Sequence, residues 1–361
     1  MSAQESPLPS QSLPIVTEPN RLQGLIANRL DSWTVGKGEI SWPCVPSLTD
    51  EYLHRLEILF RILGKPWSSQ ELARLRELLA TKLKSGFEVS PHSRLLIKFE
   101  TDKFPSIPTN RLGLGISTII STLEDEYKKW TQLRQPPLFG SHPDAKVMST
   151  VEQLGQDPST VAILDVGAGT GRNTFPLARL GYTVQALEPV PAFVQQMAVT
   201  TQAEGLPVIV TQGNVLDESL VLPQAHFKLA IVVEVVSHFR VFPQLQQFLQ
   251  KMAEVLRPGG LLLFNTFLPV EGYEPTQVVR EMSQVMWCSV FTRSELMAAL
   301  KDLPFELVSD QSAYEFERQN LPAQAWPPTG WFEQWATGRD LFPISDGLPP
   351  VQLRWLLYRR L

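Results

Sequence analysis

Between residues 161 and 188, carboxylates and glycines stand at a spacing that could hold a nucleoside. An apolar run, Val161-Ala162-Ile163-Leu164, leads to Asp165, and Gly167, Gly169 and Gly171 follow at alternating positions. From Arg172 to Leu180 apolar side chains recur near helical spacing and stop at Gly181, and Tyr182 to Leu187 then read as another strand that ends on Glu188. The succession is strand, glycine turn, helix, strand. Glycine has a reason to be at the turn. Backbone angles that tight come cheaply only without a Cβ, and a ligand approaches main chain closely only where no side chain intervenes. An acid closing the second strand is placed to accept hydrogen bonds from both ribose hydroxyls of a nucleoside.

Spacing separates one nucleoside class from another. The dinucleotide fingerprint G-x-G-x-x-G seats a pyrophosphate on a helix N-terminus. Here the third glycine comes one residue early, and the position that fingerprint requires is Arg172. Asp165, ahead of the first glycine, would repel a pyrophosphate but suits an amino group through a charge-assisted bond. The run Leu-Asp-Val-Gly-Ala-Gly-Thr-Gly, followed by Ala-Leu-Glu, closely resembles the first motifs of class I S-adenosylmethionine (SAM) methyltransferases. That resemblance implies SAM as methyl donor, with Asp165 meeting the methionine ammonium and Glu188 the ribose hydroxyls. Backbone at Gly167, Ala168, Gly169 and Gly171 would face the donor. The blander reading makes Asp165 a cap for the turn and Glu188 a solvated strand-end acid.

Further along, Asn214 follows Gly213 where the family usually has an acid that accepts from the adenine amino group, and Val215 stands beside it. An amide oxygen accepts that bond too, more weakly. The segment Glu234-Val235-Val236-Ser237-His238-Phe239, with Leu-Arg-Pro-Gly-Gly at 256–260, resembles later motifs of small-molecule methyltransferases. It implies backbone at Val233 and Glu234 along the methionine end of the donor. Lys228 replaces the family's usual acid at the start of that strand. His238 is a candidate general base, because imidazole titrates near neutrality. Its alternative is to pack and hydrogen-bond the turn, since a sulfonium donor asks mainly for alignment and exclusion of water. Insertions at 268–289 and 319–350 bring Tyr273, Trp287, Trp326, Trp331 and Trp335, which are candidates for the acceptor pocket. The same rings could equally stiffen a cover loop. The DPPY or NPPY sequence of exocyclic-amine methyltransferases is absent after Val233.

Bulk properties exclude several classes. The formal charge is −5 over 361 residues, with no basic excess in either half of the kind that marks a nucleic-acid partner. No apolar run approaches the roughly 20 residues that cross a bilayer, and the first residues lack the pattern of a signal peptide. Cys44 and Cys288 are too far apart for a disulfide framework or a zinc site, so no metal is expected and a cytoplasmic location is.

These elements demand positioning by a larger frame. Residues 1–20, rich in Ser, Pro and Gln, read as a disordered tail. Residues 21–140 read as a mainly α-helical domain. Its helices carry Tyr52 to Leu63 on one stripe, a capping box from Ser68 to Glu71, and a third helix from Ile116 to Leu133. Arg94 to Phe99 is a strand or an extended arm, 103–109 a proline-broken loop, and 134–140 a linker. From 145 to 361 strands and helices alternate, which predicts an α/β fold with a doubly wound, mostly parallel sheet. The proline-rich approach to Val351–Tyr358 makes the last strand antiparallel to its predecessor, and the resemblance implies the same seven-stranded sheet. The expected function is methyl transfer to a small-molecule acceptor. A protein side chain is the alternative, in the manner of the phycobiliprotein asparagine methyltransferases, which also join an added N-terminal region to this core. A non-catalytic SAM-binding scaffold is the third reading.

Overall fold

The computed structural model describes residues 17–27, 34–101, 112–134, 137–155 and 157–361. Most of the tail expected at 1–20, the loop at 103–109 and part of the linker at 134–140 lie outside them. The chain divides into two compact units. The first takes the described residues up to Trp42, with Leu48–Leu83 and Arg94–Ile119, and the second takes Pro43–Ser47, Lys84–Ser93 and Ile120–Leu361.

In the first unit lie α1 (Pro19–Ala27), β1 (Lys37–Pro43), α2 (Thr49–Ile62) and most of α3 (Ser69–Val89). They are joined by β2 (Arg94–Thr101) and β3 (Leu112–Ile119). Helix α2 buries Tyr52, Leu56 and Phe60 on one stripe, as their spacing predicts. Helix α3 opens on the expected box: the Ser68 N–H donates to Glu71 at 2.8 Å, and Ser68 Oγ accepts from the Glu71 N–H at 3.4 Å. Helices predominate, but they are accompanied by a three-stranded sheet in the order β1-β2-β3. This corrects the helix expected to begin at Ile116. Residues 112–119 pair antiparallel with β2, Ile116 opposite Ile97, and a fresh helix begins only at Leu123. Thr122 caps that helix reciprocally with Asp125, which stops the strand and starts the helix in one turn. Helical periodicity misled here because apolar residues on a strand and on the next helix happened to fall in one register.

The long continuous stretch of the second unit starts at Ile120, and its first helix is α4 (Leu123–Leu133), so this division falls ahead of the expected linker at 134–140. Then come α5 (Ala145–Glu152), β4 (Ala162–Val166), α6 (Thr174–Arg179), β5 (Thr183–Glu188), α7 (Pro191–Glu204), β6 (Val208–Gln212) and β7 (Phe227–Val232). After them are α8 (Phe242–Val255), β8 (Leu256–Pro269), α9 (Gln277–Val285), α10 (Arg293–Leu300), β9 (Phe305–Ser312), α11 (Ala313–Asn320), α12 (Phe332–Ala336) and β10 (Val351–Arg360). One seven-stranded sheet runs in the order β6-β5-β4-β7-β8-β10-β9. Strands β6, β5, β4, β7 and β8 are mutually parallel, and β10 is antiparallel to both β8 and β9. The expected antiparallel last strand is present, inserted between its two predecessors.

Alternate residues feed opposite faces, as the pleat requires. Ile163, Leu229, Ile231 and Leu263 enter one core, and Leu164, Val166, Ala230 and Val232 the other. Strand order reverses beside β4, so the crevice outside the carboxyl ends of β4, β5 and β7 is where such a sheet takes a ligand. On one core face Trp355 of β10, 1% exposed, donates its Nε1–H to Glu317 Oε1 at 3.1 Å. Glu317 also accepts from the Ala145 and Lys146 N–H groups at 2.7 and 3.1 Å, which docks the start of α5. Trp355→Ala removes a large buried ring and one partner of a buried acid, and we expect it to lower unfolding free energy by about 3–5 kcal/mol. Urea unfolding followed by circular dichroism would check this; a loss below about 1 kcal/mol would contradict the packing described.

Candidate active site

Asp165, next to last in β4, has 2% of its surface exposed, and its Oδ2 accepts from the Thr174 hydroxyl at 2.5 Å. Burial pushes its pKa up to about 7 against the lowering effects of Thr174 and Arg172. Beyond it, Gly167, Gly169 and Gly171 all adopt positive φ. Gly167, at φ +71°, lies so close to Val235 that a Cβ would meet its Cγ2 at 2.3 Å. The Gly167 and Ala168 N–H groups donate to the Leu187 carbonyl at 2.8 and 3.2 Å, which ties the turn to the end of β5. There Glu188, 4% exposed, accepts from the Gly169 N–H at 2.9 Å through Oε2 and from the Val190 N–H at 2.8 Å through Oε1. Burial raises its pKa, opposed by those backbone bonds. Each oxygen keeps a second lone pair.

Past β7, Glu234 adopts φ +60°, a left-handed conformation unusual for a residue with a side chain. Its N–H is held by Asn265 Oδ1 at 2.7 Å, and Ser237 Oγ donates to its carbonyl at 3.1 Å. Arg172 bridges two acids, reaching Glu234 Oε1 at 3.1 Å and Asp144 Oδ1 at 2.7 Å. Asp144 is held further by the Asn173 amide at 2.8 Å. Burial raises the Glu234 carboxyl to about 7 despite the guanidinium beside it. Asn214 is exposed and its Oδ1 accepts from the Leu216 N–H at 2.9 Å, closing a local turn, while Val215 is buried.

Asp165, Gly167, Gly169, Arg172, Glu188 and Glu234 line one cavity of about 520 Å³. The opposite wall is aromatic. Tyr127 and Trp130 of α4, Phe139, Phe193, His238 and Trp287 meet there, with Trp331 and Trp335 beside them. Tyr127 is central: its ring is edge-on to Trp130, Phe139, Phe193 and Trp287, and its hydroxyl lies 3.4 Å from His238 Nε2. Burial lowers the His238 pKa to about 4, helped by His92, so its imidazole is neutral near pH 7. The same burial, with Glu188 and Glu234 nearby, drives the Tyr127 pKa upward.

Of the residues singled out from the sequence, Asp165, Gly167, Ala168, Gly169, Glu188, Asn214, Val215, Val233, Glu234 and His238 line this cavity. Gly171 does not, since it faces the Phe175 ring, where a Cβ would meet Cε2 at 2.3 Å. Trp287, Trp331 and Trp335 reach the cavity, whereas Tyr273 packs against Phe342 and Trp326 against Tyr314 and Phe332. Those two rings are partly buried against the core and do not line the cavity. Residues unassigned from the sequence also converge: Tyr127, Trp130, Phe139, Arg172 and Asp144. The stripe of Leu123, Tyr127 and Trp130 was a readable signal, but periodicity names a helix face without saying which surface it meets.

With the geometry in view, residues 163–260 match the family described as "Methyltransferase domain". A ubiquinone biosynthesis O-methyltransferase of Methylobacterium sp. (strain 4-46) is 31% identical over 116 residues, which cover 32% of this chain and 45% of that protein. The protein of that name from Rickettsia prowazekii (strain Madrid E) is 27% identical over 33% of this chain and 45% of its own length. The chain thus spans less than half the length of these relatives. Geranyl diphosphate C-methyltransferase from Streptomyces coelicolor A3(2), solved with S-adenosyl-L-homocysteine, is similar at a TM-score of 0.45 and 16% identity, covering 60% of this chain and 79% of that one. At that score the likeness carries no weight for substrate or mechanism. The matched segment, 163–260, thus spans β4 to the first half of β8 and contains the glycine turn, Glu188 and the Glu234–His238 segment of the cavity.

Arg172 is the pivot of the charged wall, 9% exposed between Asp144 and Glu234, which are 3% and 18% exposed. Arg172→Met leaves both acids without their cation, and a loss of about 3–5 kcal/mol in unfolding free energy is expected. The sign with pH follows. The Glu234 carboxyl, already raised to about 7 by burial, rises further without the guanidinium that lowers it, so the variant's deficit grows as pH rises through that range. Urea unfolding at pH 5.5 and pH 8 measures this, and an equal deficit at both would refute the bridging role.

Proposed function

We propose that this protein moves a methyl group from SAM to a small-molecule acceptor. The observation that carries the reading is that Asp165, the glycine turn, Glu188 and the Glu234–His238 segment share one cavity at the carboxyl ends of β4, β5 and β7. The residues fit the donor. Asp165 engages Thr174 through Oδ2 and, among the described residues, has no hydrogen-bond partner for Oδ1, which leaves that oxygen for an ammonium group. The turn beside it tolerates no Cβ at Gly167, and Glu188 retains lone pairs for ribose hydroxyls. Asn214, with its oxygen in a local turn, keeps its amide group for adenine, next to backbone at Val215.

When bound, SAM supplies a methyl group activated by a sulfonium. The chain's own residues then have to align an acceptor and keep water away, and the aromatic wall suits both tasks. His238, neutral at physiological pH, accepts a hydrogen bond through Nε2 from an acceptor group or from Tyr127. The relatives' names specify O-methylation in ubiquinone biosynthesis, which favours a small acceptor. So does a cavity ringed by side chains, as against a protein side chain presented from outside.

Calorimetry of the full chain with SAM and S-adenosylhomocysteine tests the reading. Asp165→Ala and Glu188→Ala should each weaken binding by about 1–3 kcal/mol, the range for hydrogen bonds to charged or buried groups. Affinity of the unaltered protein should also fall as pH drops from 8 to 6. Below about 7 the free Asp165 is protonated and offers the ammonium no charge. Asp165→Asn should flatten that dependence. Unchanged affinity in both alanine variants would move the donor elsewhere.

A further inference from the structure

The aromatic wall carries information about the acceptor. Trp287 stacks on His92 at 4.4 Å between centroids and on Trp130 at 4.9 Å. Rings that close cannot share a face, so both faces of Trp287 are covered. Over the Trp130 ring the Arg134 guanidinium carbon lies 4.2 Å from the centroid, and it cannot occupy the side already taken by Trp287. Both faces of Trp130 are therefore covered as well. The result is a column, Arg134–Trp130–Trp287–His92, drawn from α4, the loop after α9 and the 84–93 segment of the second unit.

Both tryptophans nevertheless line the cavity, so what they turn toward it is edge. An aromatic edge is the positive rim of the ring quadrupole, whereas cages for cations use the negative faces. A donor sulfonium in the same cavity adds a further penalty on a second cation. Anions fare no better. Among the described lining residues the cations are Arg172, committed to Asp144 and Glu234, and Arg134, set over Trp130. Carboxyl groups of Asp165, Glu188, Glu234 and Asp340 line the same space, and like charge at close range is costly.

We propose that the acceptor in the methyl transfer suggested above is a neutral molecule with a planar, apolar body, selected against cations and anions by the covered tryptophan column, with its hydrogen-bonding group directed to the Tyr127–His238 pair. The polar pair is suited to a neutral partner. Tyr127 Oη and His238 Nε2 sit 3.4 Å apart, a long bond that either group can exchange for an incoming hydroxyl or carbonyl.

The experiment uses the full chain and probes of similar ring size but different charge. Calorimetry with S-adenosylhomocysteine comes first, and tests the donor reading by itself. The saturated protein is then titrated with p-cresol, benzoate and phenyltrimethylammonium, followed by tryptophan fluorescence. p-Cresol should bind at least about tenfold more tightly than either ion, and Trp130→Leu, by uncovering one face of Trp287, should improve phenyltrimethylammonium relative to p-cresol by about fivefold or more, amounts within the reach of one cation–π contact. Equal affinity for an ion and p-cresol, no binding of p-cresol at millimolar concentration, or an unmoved ratio in the variant would each overturn the proposal while leaving donor binding intact. Failure of S-adenosylhomocysteine to bind would remove the donor reading and this one with it.

Discussion

Burial of carboxylates at the ends of parallel strands is the constraint around which this unit is arranged. Taking an ionised carboxyl out of water is expensive unless hydrogen bonds or a cation replace the solvent. Four acids meet that demand in four ways. Glu188 takes two backbone N–H groups, one from the glycine turn and one from the start of α7. Asp144 takes Arg172 and the Asn173 amide, and Glu234 takes the other arm of the same guanidinium. Asp165, among the described residues, has a single hydrogen-bond donor, the Thr174 hydroxyl. The least compensated acid is the one beside the turn with no room for a Cβ, which is why the function proposed above gives its free oxygen to the donor's ammonium group.

The remaining geometry follows from holding these groups still. A turn at Gly167 is fixed on one side by Val235 and on the other by the Leu187 carbonyl, so ends of β4, β5 and β7 move together. Glu234 keeps a left-handed backbone because Asn265, from the neighbouring β8, accepts from its N–H. Strain of this sort persists only where surrounding structure over-determines it. Here the surroundings are the sheet itself, with β10 packed between β8 and β9 to anchor the far side.

What the sequence made legible was local. Asp165, the glycines and Glu188 lie within one strand-turn-helix-strand unit, and their spacing carries both the fold and the charged side of the cavity. Long-range pairing was less legible. Of the β1-β2-β3 sheet only β2 was foreseen, as a strand or an extended arm, because β1 is largely polar and β3 is interrupted by Gly113 and Gly115. Arg172 was read only as a missing glycine, since nothing in a linear pattern announces that Asp144 and Glu234 will flank it. Among the tryptophans, composition marked the insertions as candidates without separating ring from ring. Trp287 faces the cavity and Trp326 the core because of where α9 and α12 bring the chain, a matter of tertiary packing.

The aromatic wall also has an energetic character of its own. Helix α4 has no fully buried residue, so little of its stability can come from a core of its own. Its ordered contacts run along the stripe of Leu123, Tyr127, Trp130 and Arg134, which is the face that lines the cavity. Edge-on and stacked aromatic pairs contribute about 0.5–1.5 kcal/mol each beyond area burial. An element held mainly by contacts around a ligand cavity belongs to the weakly protected end of a protein's stability range. Apolar surface added to that cavity packs against the same stripe, so occupancy and order of α4 are thermodynamically linked: whatever fills the space between Tyr127 and the glycine turn also fastens the helix that encloses it.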